Sequence, residues 1–166
     1  MHLEESLAVV PLVERLAGRI IDVGSGGGAP GIPIAAALPH REVVLLEANG
    51  RKAAFLERAA REFPNVRVVR GRAEEQEVDG YGVAVAKALA APPVAAEWCL
   101  ALVRPGGAAI LLVGPRADAD PVGRVSAQLG GGPPEIRPGA LVLPKVGATP
   151  PGFPRRPGMA RKRPLA

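Results

Sequence analysis

Apolar and polar positions follow two rhythms along this chain. Short runs of β-branched and apolar residues sit between stretches whose apolar positions recur every three or four residues. Arg19-Ile20-Ile21-Asp22-Val23 reads as a strand ending in a glycine cluster at 24–28. Pro30 opens a helix to about Leu38 and Pro39 closes it, because proline fits a first helical turn and breaks a helix further along. Glu42 to Glu47 reads as a second strand. Lys52 to Phe63 reads as a helix with Ala53, Leu56, Ala59, Ala60 and Phe63 on one face. Val66–Val69 and Gly82–Ala86 give a third and a fourth strand, a helix runs from about Pro93 to Val103, and Ala108–Val113 is a fifth strand.

Strands of this kind, apolar throughout and alternating with helices, belong to an α/β fold whose mostly parallel sheet has helices on both faces. In such sheets ligands bind outside the carboxyl ends of the strands, where the strand order reverses. Beyond Val113 the pattern predicts a helix near Pro121–Leu129, a Gly/Pro turn at 130–134 and a strand at Ala140–Val146. Little regular structure is expected in the last twenty residues. The organisation reads as a domain at 1–148 followed by a basic, proline-rich tail at 149–166, with no repeats.

Composition changes that picture in two places. Glycine (21) and proline (19) make up nearly a quarter of 166 residues, just under the level of about 25–30% at which disorder becomes the default. The 48% hydrophobic content argues for a folded domain, and with 3% aromatic residues its core must come from Val, Leu, Ile and Ala. The net charge is +5, and the excess is local: Lys145, Arg155, Arg156, Arg161, Lys162 and Arg163 are the only charged residues after position 144. Such a segment suits phosphate backbones, since each neutralised phosphate releases counterions, or it is a solvated tail. One cysteine excludes an internal disulfide framework, and with two histidines a zinc site is not expected. Cys99, in an apolar helix, reads as packing. No apolar run is long enough to span a membrane and no secretory leader is read, so a cytoplasmic protein without metal is expected.

The chemistry concentrates in Asp22-Val23-Gly24-Ser25-Gly26-Gly27-Gly28-Ala29-Pro30-Gly31, which leads from strand to helix. Glycines let a backbone approach a ligand and turn with positive φ, and a helix start offers free N–H groups. Gly24-x-Gly26-x-x-Ala29 also fits a dinucleotide fingerprint, so the loop alone leaves NAD and other nucleosides open. Glu47, 23 residues after Gly24 and at the end of the second strand, can accept two hydrogen bonds from a ribose diol, which NAD and S-adenosylmethionine (SAM) share. Three further segments favour SAM: Gly71-Arg72-Ala73-Glu74-Glu75 after the third strand, Ala84–Ala88 at the end of the fourth, and the turn Leu102–Gly107 before the fifth.

In that order and spacing the chain resembles the small-subunit ribosomal RNA guanine-N7 methyltransferases, also called glucose-inhibited division protein B. His2-Leu3-Glu4-Glu5-Ser6-Leu7 is similar to the family's His-x-x-Asp-Ser-Leu, and Asp22–Ile32 to its Asp-Val-Gly-Ser/Thr-Gly-x-Gly-x-Pro-Gly-Ile loop. Arg51-Lys52-x-x-Phe55-Leu56, Arg72-Ala73-Glu74-Glu75, Thr149-Pro150, Phe153-Pro154-Arg155-Arg156-x-Gly158 and Lys162-x-Pro164-Leu165 resemble further family segments. The resemblance implies a class I SAM-dependent (Rossmann-like) methyltransferase fold that transfers a methyl group to N7 of a guanine in 16S ribosomal RNA. It implies SAM contacts at Gly24, Ala29, Ala73, Glu74 and Lys87, to which the reading of the glycine loop and of the second strand's end adds Ser25, Gly26, Gly28 and Glu47. RNA phosphates would meet Arg155, Arg156, Arg161, Lys162 and Arg163. N7 carries an in-plane lone pair, so no general base is expected.

The chain departs from the family in three places. It begins almost at the His-x-x-Asp-Ser-Leu segment, so the expected fold lacks the family's N-terminal helical region. Lys87 stands where arginine is usual, and Val113 where a lysine is common. A rival reading therefore keeps the nucleoside pocket in an RNA- or ribosome-binding protein without catalysis. An NAD-dependent oxidoreductase would need an acid/base residue that only His2 or His40 could supply, and neither ends the fourth or fifth strand.

Overall fold

The computed structural model describes residues 2–166. Two short helices, α1 (His2–Ala8) and α2 (Val10–Glu14), precede β1 (Ile20–Val23), α3 (Gly31–Ala37), β2 (Val43–Glu47) and α4 (Gly50–Ala59). Then come β3 (Val66–Arg70), β4 (Tyr81–Lys87), α5 (Pro92–Leu102), β5 (Val103–Leu112), α6 (Ala119–Gln128), β6 (Glu135–Arg137), β7 (Ala140–Pro144) and α7 (Met159–Lys162). Single 3₁₀ turns lie at Ala60–Glu62 and Ala73–Glu75.

Among the described residues the sheet has seven strands in the order β3-β2-β1-β4-β5-β7-β6. The first five are parallel, and β7 runs antiparallel to both β5 and β6. The order reverses between β1 and β4, so the crevice forms at their carboxyl ends. Period-two alternation divides each central strand between two cores. Ile21, Val23, Val44, Leu46, Ala84 and Ala86 pack under α5 and α6, whereas Ile20, Val43, Leu45, Val83 and Val85 pack under α2, α3 and α4. Each fully buried Val, Leu or Ile contributes about 1.5–3 kcal/mol over its exposed state.

Helix α5 is buried from Val94 to Leu102, because the sheet covers one side and α6 and the C-terminal segment cover the other. Cys99 sits there fully buried, and desolvation pushes its thiol well above the usual range, as packing requires.

Four differences from the sequence expectation have physical causes. Helix α4 begins two residues before Lys52, since the Asn49 side chain accepts hydrogen bonds from the N–H groups of Arg51 and Lys52. Helices α1 and α2 form where the sequence pattern predicts no element, and Val9 and Val13 bury the face they share. β6 is short and exposed at all three residues, so it carries no alternation to read. The last twenty residues include α7 and are folded back on the domain: Ala160 is buried, and Phe153 and Leu165 pack against the α5 core.

Candidate cofactor cleft

The loop after β1 owes its shape to backbone bonds that only glycines permit. Gly24, Gly26 and Gly28 have φ of +71°, +55° and +104°. The N–H groups of Gly24 and Ser25 both donate to the Leu46 carbonyl, at 2.8 and 3.0 Å, which ties the loop to the end of β2. The Ser25 hydroxyl donates to the Asp22 carbonyl at 3.0 Å. The Gly31 N–H, opening α3, donates to Asp22 Oδ2 at 2.9 Å. A Cβ on Gly31 would collide with the Leu45 and Asp22 side chains, so glycine is needed for this close approach. Asp22 is fully buried and its Oδ1 has no partner among the described residues. Burial therefore pushes its carboxyl up to about 7, against the lowering effect of the Gly31 N–H and Ser25, with Glu47 adding to the rise.

A cleft of about 490 Å³ opens beside this loop. Gly24 and Gly26 form one wall, with Glu47 at the end of β2, Lys52 from α4, and Ala73 and Glu74 from the 3₁₀ turn after β3. Glu47 is 8% exposed, and the Gly71 N–H donates to its carbonyl at 3.1 Å, which fixes the chain on either side. Five of the nine proposed cofactor residues thus converge: Gly24, Gly26, Glu47, Ala73 and Glu74. Ser25, Gly28 and Ala29 do not line the cleft; Ser25 and Gly28 brace the loop, whose 25–28 turn is closed by the Gly28 N–H donating to the Ser25 carbonyl.

Lys87 departs from its expected place. Its ammonium is ion-paired with Glu5 of α1, and it lines a neighbouring cavity of about 540 Å³ with Val113, Gly114 and Gly139. The charged lysine at the end of β4 is drawn to the carboxylate on α1, away from the nucleoside cleft. Ala88 borders both cavities.

The basic segment is also arranged differently from a free tail. Arg155 donates from Nε and Nη2 to the two oxygens of Glu97, each at 2.6 Å, and from Nη1 to the Arg163 carbonyl at 3.0 Å. That bidentate pair, which raises the Arg155 pKa, joins the segment to α5, so Arg155 is a structural clasp and not a solvent-facing phosphate ligand. Arg161 turns into the cleft together with Gly158, and its guanidinium lies 5.3 Å from the centre of the Trp98 ring. Arg156, Arg161, Lys162 and Arg163 are all exposed. Sequence reasoning missed Trp98, Arg161 and Gly158 as cleft residues, since they lie 51 or more positions from Glu47. Glu97 was the one readable sign: a charge inside a helix that is apolar all round needs a cation from elsewhere.

Comparison with known proteins bears on the family and the fold. The family model described as rRNA small subunit methyltransferase G matches residues 1–124. A protein of that name from Rubrobacter xylanophilus is 38% identical and aligns with 91% of this chain and 66% of its own length. The one from Salinispora arenicola is 44% identical over 73% of this chain and 55% of its own, and the one from Moorella thermoacetica 34% over 99% and 77%. The chain thus spans two thirds or less of the first two relatives. Among solved structures, a SAM-dependent O-methyltransferase from Thermotoga maritima superposes with a TM-score of 0.67 at 16% identity, covering 89% of this chain and 66% of that one. The CurJ carbon methyltransferase gives 0.68 at 13%, covering 89% and 54%. These two are alike in fold.

Proposed function

The chain belongs to the rRNA small subunit methyltransferase G family, and from that premise we propose that it transfers a methyl group from SAM to N7 of a guanine in 16S ribosomal RNA. The observation that carries this reading is the convergence, at the switch point of the sheet, of the Gly24–Gly28 loop with Glu47 and with Ala73 and Glu74. A glycine backbone fits the close approach of an amino-acid moiety, and a carboxylate at the end of β2 fits a ribose diol. The 3₁₀ turn fits an adenine edge. SAM held by the Gly24–Gly26 backbone, Glu47, Ala73 and Glu74 would supply a methyl group on a positively charged sulfur to the in-plane lone pair of N7. N7 gives up no proton, so the chain's own residues act by holding the two reactants in line, an effect worth about 7–11 kcal/mol at its best. The cavity shared by Lys87, Glu5 and Val113 opens on the ends of β4 and β5, beside the cleft, and suits the target base once it leaves its stack. Arg156, Lys162 and Arg163 supply phosphate contacts, which give affinity and not sequence choice. Such a substrate puts the reaction in the cytoplasm; no described helix is long and apolar enough to cross a membrane.

Calorimetry tests the cofactor half. Wild-type protein binds SAM and not NAD, and Glu47→Ala weakens SAM by about 100-fold, as expected for two lost hydrogen bonds to a charged acceptor. Absence of SAM binding at millimolar ligand, or tight NAD binding, sinks the reading. For the RNA half, unmodified small subunits incubated with labelled SAM acquire 7-methylguanosine in a nuclease digest; a pure binding protein would retain the RNA and transfer nothing. The triple variant Arg156→Ala/Lys162→Ala/Arg163→Ala lowers the slope of log affinity against log salt by about 2, at roughly 0.7 per phosphate of single-stranded RNA. An unchanged slope removes those three contacts.

A further inference from the structure

The outer side of the cleft is built by residues far apart in the chain. Trp98 of α5, Leu89 after β4, and Gly158 and Arg161 from the C-terminal segment all line it, facing the Ala73–Glu74 turn. The Arg161 guanidinium rests over the Trp98 ring, and its Nη2 donates to the Leu89 carbonyl at 3.1 Å. The Gly158 N–H points to Glu74 Oε1 at 3.4 Å. Trp98 is 8% exposed, and its indole N–H has no acceptor among the described residues. The segment is locked in this position by the Arg155–Glu97 pair, by buried Ala160, and by Phe153 and Leu165 against the core.

Arg161 is exposed, as its neighbours Lys162 and Arg163 are. Its guanidinium is nevertheless held on the Trp98 ring and lines the cleft with Leu89, Ala73 and Glu74, to which Lys52 and Arg72 add positive charge. A planar cation over apolar walls, next to an acceptor for an exocyclic amine, has the chemistry to hold a purine base: stacking for the ring face and a carboxylate for the amino edge. We propose that the 158–161 turn is the outer wall of the adenosine subsite and that Arg161 contacts the cofactor's base, a reading that rests on the SAM assignment above. Arg155 is then a positioning residue, since its clasp on Glu97 carries Gly158 and Arg161 to the cleft. The C-terminal segment and cofactor stabilise each other, because a ligand that touches the docked segment favours docking by the same factor that docking favours the ligand.

Calorimetry of the full chain with SAM and with free adenosine tests this. Arg161→Ala weakens both ligands by the same factor, about two- to fivefold for the loss of one cation–π contact at an exposed site. Arg161→Lys, which keeps the charge and loses the plane, recovers part of that loss. Arg124→Ala, an exposed arginine on α6, changes neither and controls for net charge. SAM affinity in Arg161→Ala equal to wild type overturns the proposal, as does an equal loss in Arg124→Ala. A loss for SAM with none for adenosine moves the contact off the base and also overturns it. Failure of the wild type to bind either ligand instead overturns the SAM assignment on which the proposal stands.

Discussion

Lys145→Met lowers the unfolding free energy by about 3–5 kcal/mol, the loss expected when one partner of a buried ion pair is removed. The Lys145 side chain is fully buried, and its ammonium reaches four oxygens: Asp79 Oδ1 at 2.9 Å, the Leu100 and Val103 carbonyls at 2.5 and 2.7 Å, and Thr149 Oγ1 at 2.8 Å. The Thr149 hydroxyl donates to Asp79 Oδ1 at 2.6 Å and its N–H to Oδ2 at 3.1 Å. One ammonium therefore joins the end of β7, the C-terminal carbonyls of α5, the approach to β4 and the start of the C-terminal segment. Methionine fills the volume but leaves a carboxylate and two helix-end carbonyls without their donor. At about 2–4 °C per kcal/mol for a chain of this size, the melting temperature falls by roughly 10 °C or more. Chemical denaturation at pH 7 reads the effect, and a loss below about 1 kcal/mol would show that water replaces the ammonium. In a double-mutant cycle the further change Asp79→Asn recovers part of the loss, because it removes the stranded charge.

The same network explains which parts of this protein were legible in its sequence. β1, β2 and β4 could be read because their burial on both faces writes continuous apolar runs, and the loop because glycines must occupy its positive-φ sites. Glu47 was legible from its place at the end of a strand. What could not be read is what joins distant positions. Asp79 and Lys145 are 66 residues apart and Glu97 and Arg155 are 58 apart, and no local period records such pairs. The basic segment after position 144 accordingly read as a free tail, phosphate-binding or solvated. Lys145 is buried beneath the sheet's end, Arg155 is clasped to α5, Arg161 faces the cleft, and only part of the charge is left for solvent. Lys87 illustrates the same limit, since its pairing with Glu5 of α1 depends on how a pair of short N-terminal helices folds across the sheet.

Asp22 carries the second large effect, which runs opposite in sign to the common carboxylate case. Its carboxyl is held up near 7 by burial, against an unfolded value close to 3.8, so the folded chain holds this proton more tightly than the unfolded chain does. Stability from this group is therefore full below about pH 4 and declines as pH rises through 7, by about 4 kcal/mol over a shift of some three units at 1.36 kcal/mol each. Asp79 behaves in the usual direction: although burial alone would raise it, the Thr149 and Lys145 contacts hold it low, and its contribution disappears only as pH falls below the ordinary carboxylate range. The two effects thus separate along the pH axis. Asp22→Asn keeps an oxygen for the Gly31 N–H, and so keeps the start of α3, while removing the titration. Unfolding free energies measured from pH 5 to 8.5 fall with pH in the wild type relative to Asp22→Asn, so the difference between the two proteins moves against the wild type as pH rises. Parallel profiles would mean that Asp22 stays ionised across this range, with solvent or a rearranged loop supplying a donor to Oδ1. The loop geometry explains why an acidic side chain is tolerated in so costly a place: Oδ2 is the acceptor that sets the turn presenting Gly24 and Gly26 to the cleft, and the raised, proton-holding carboxyl is the consequence of building that turn from an aspartate.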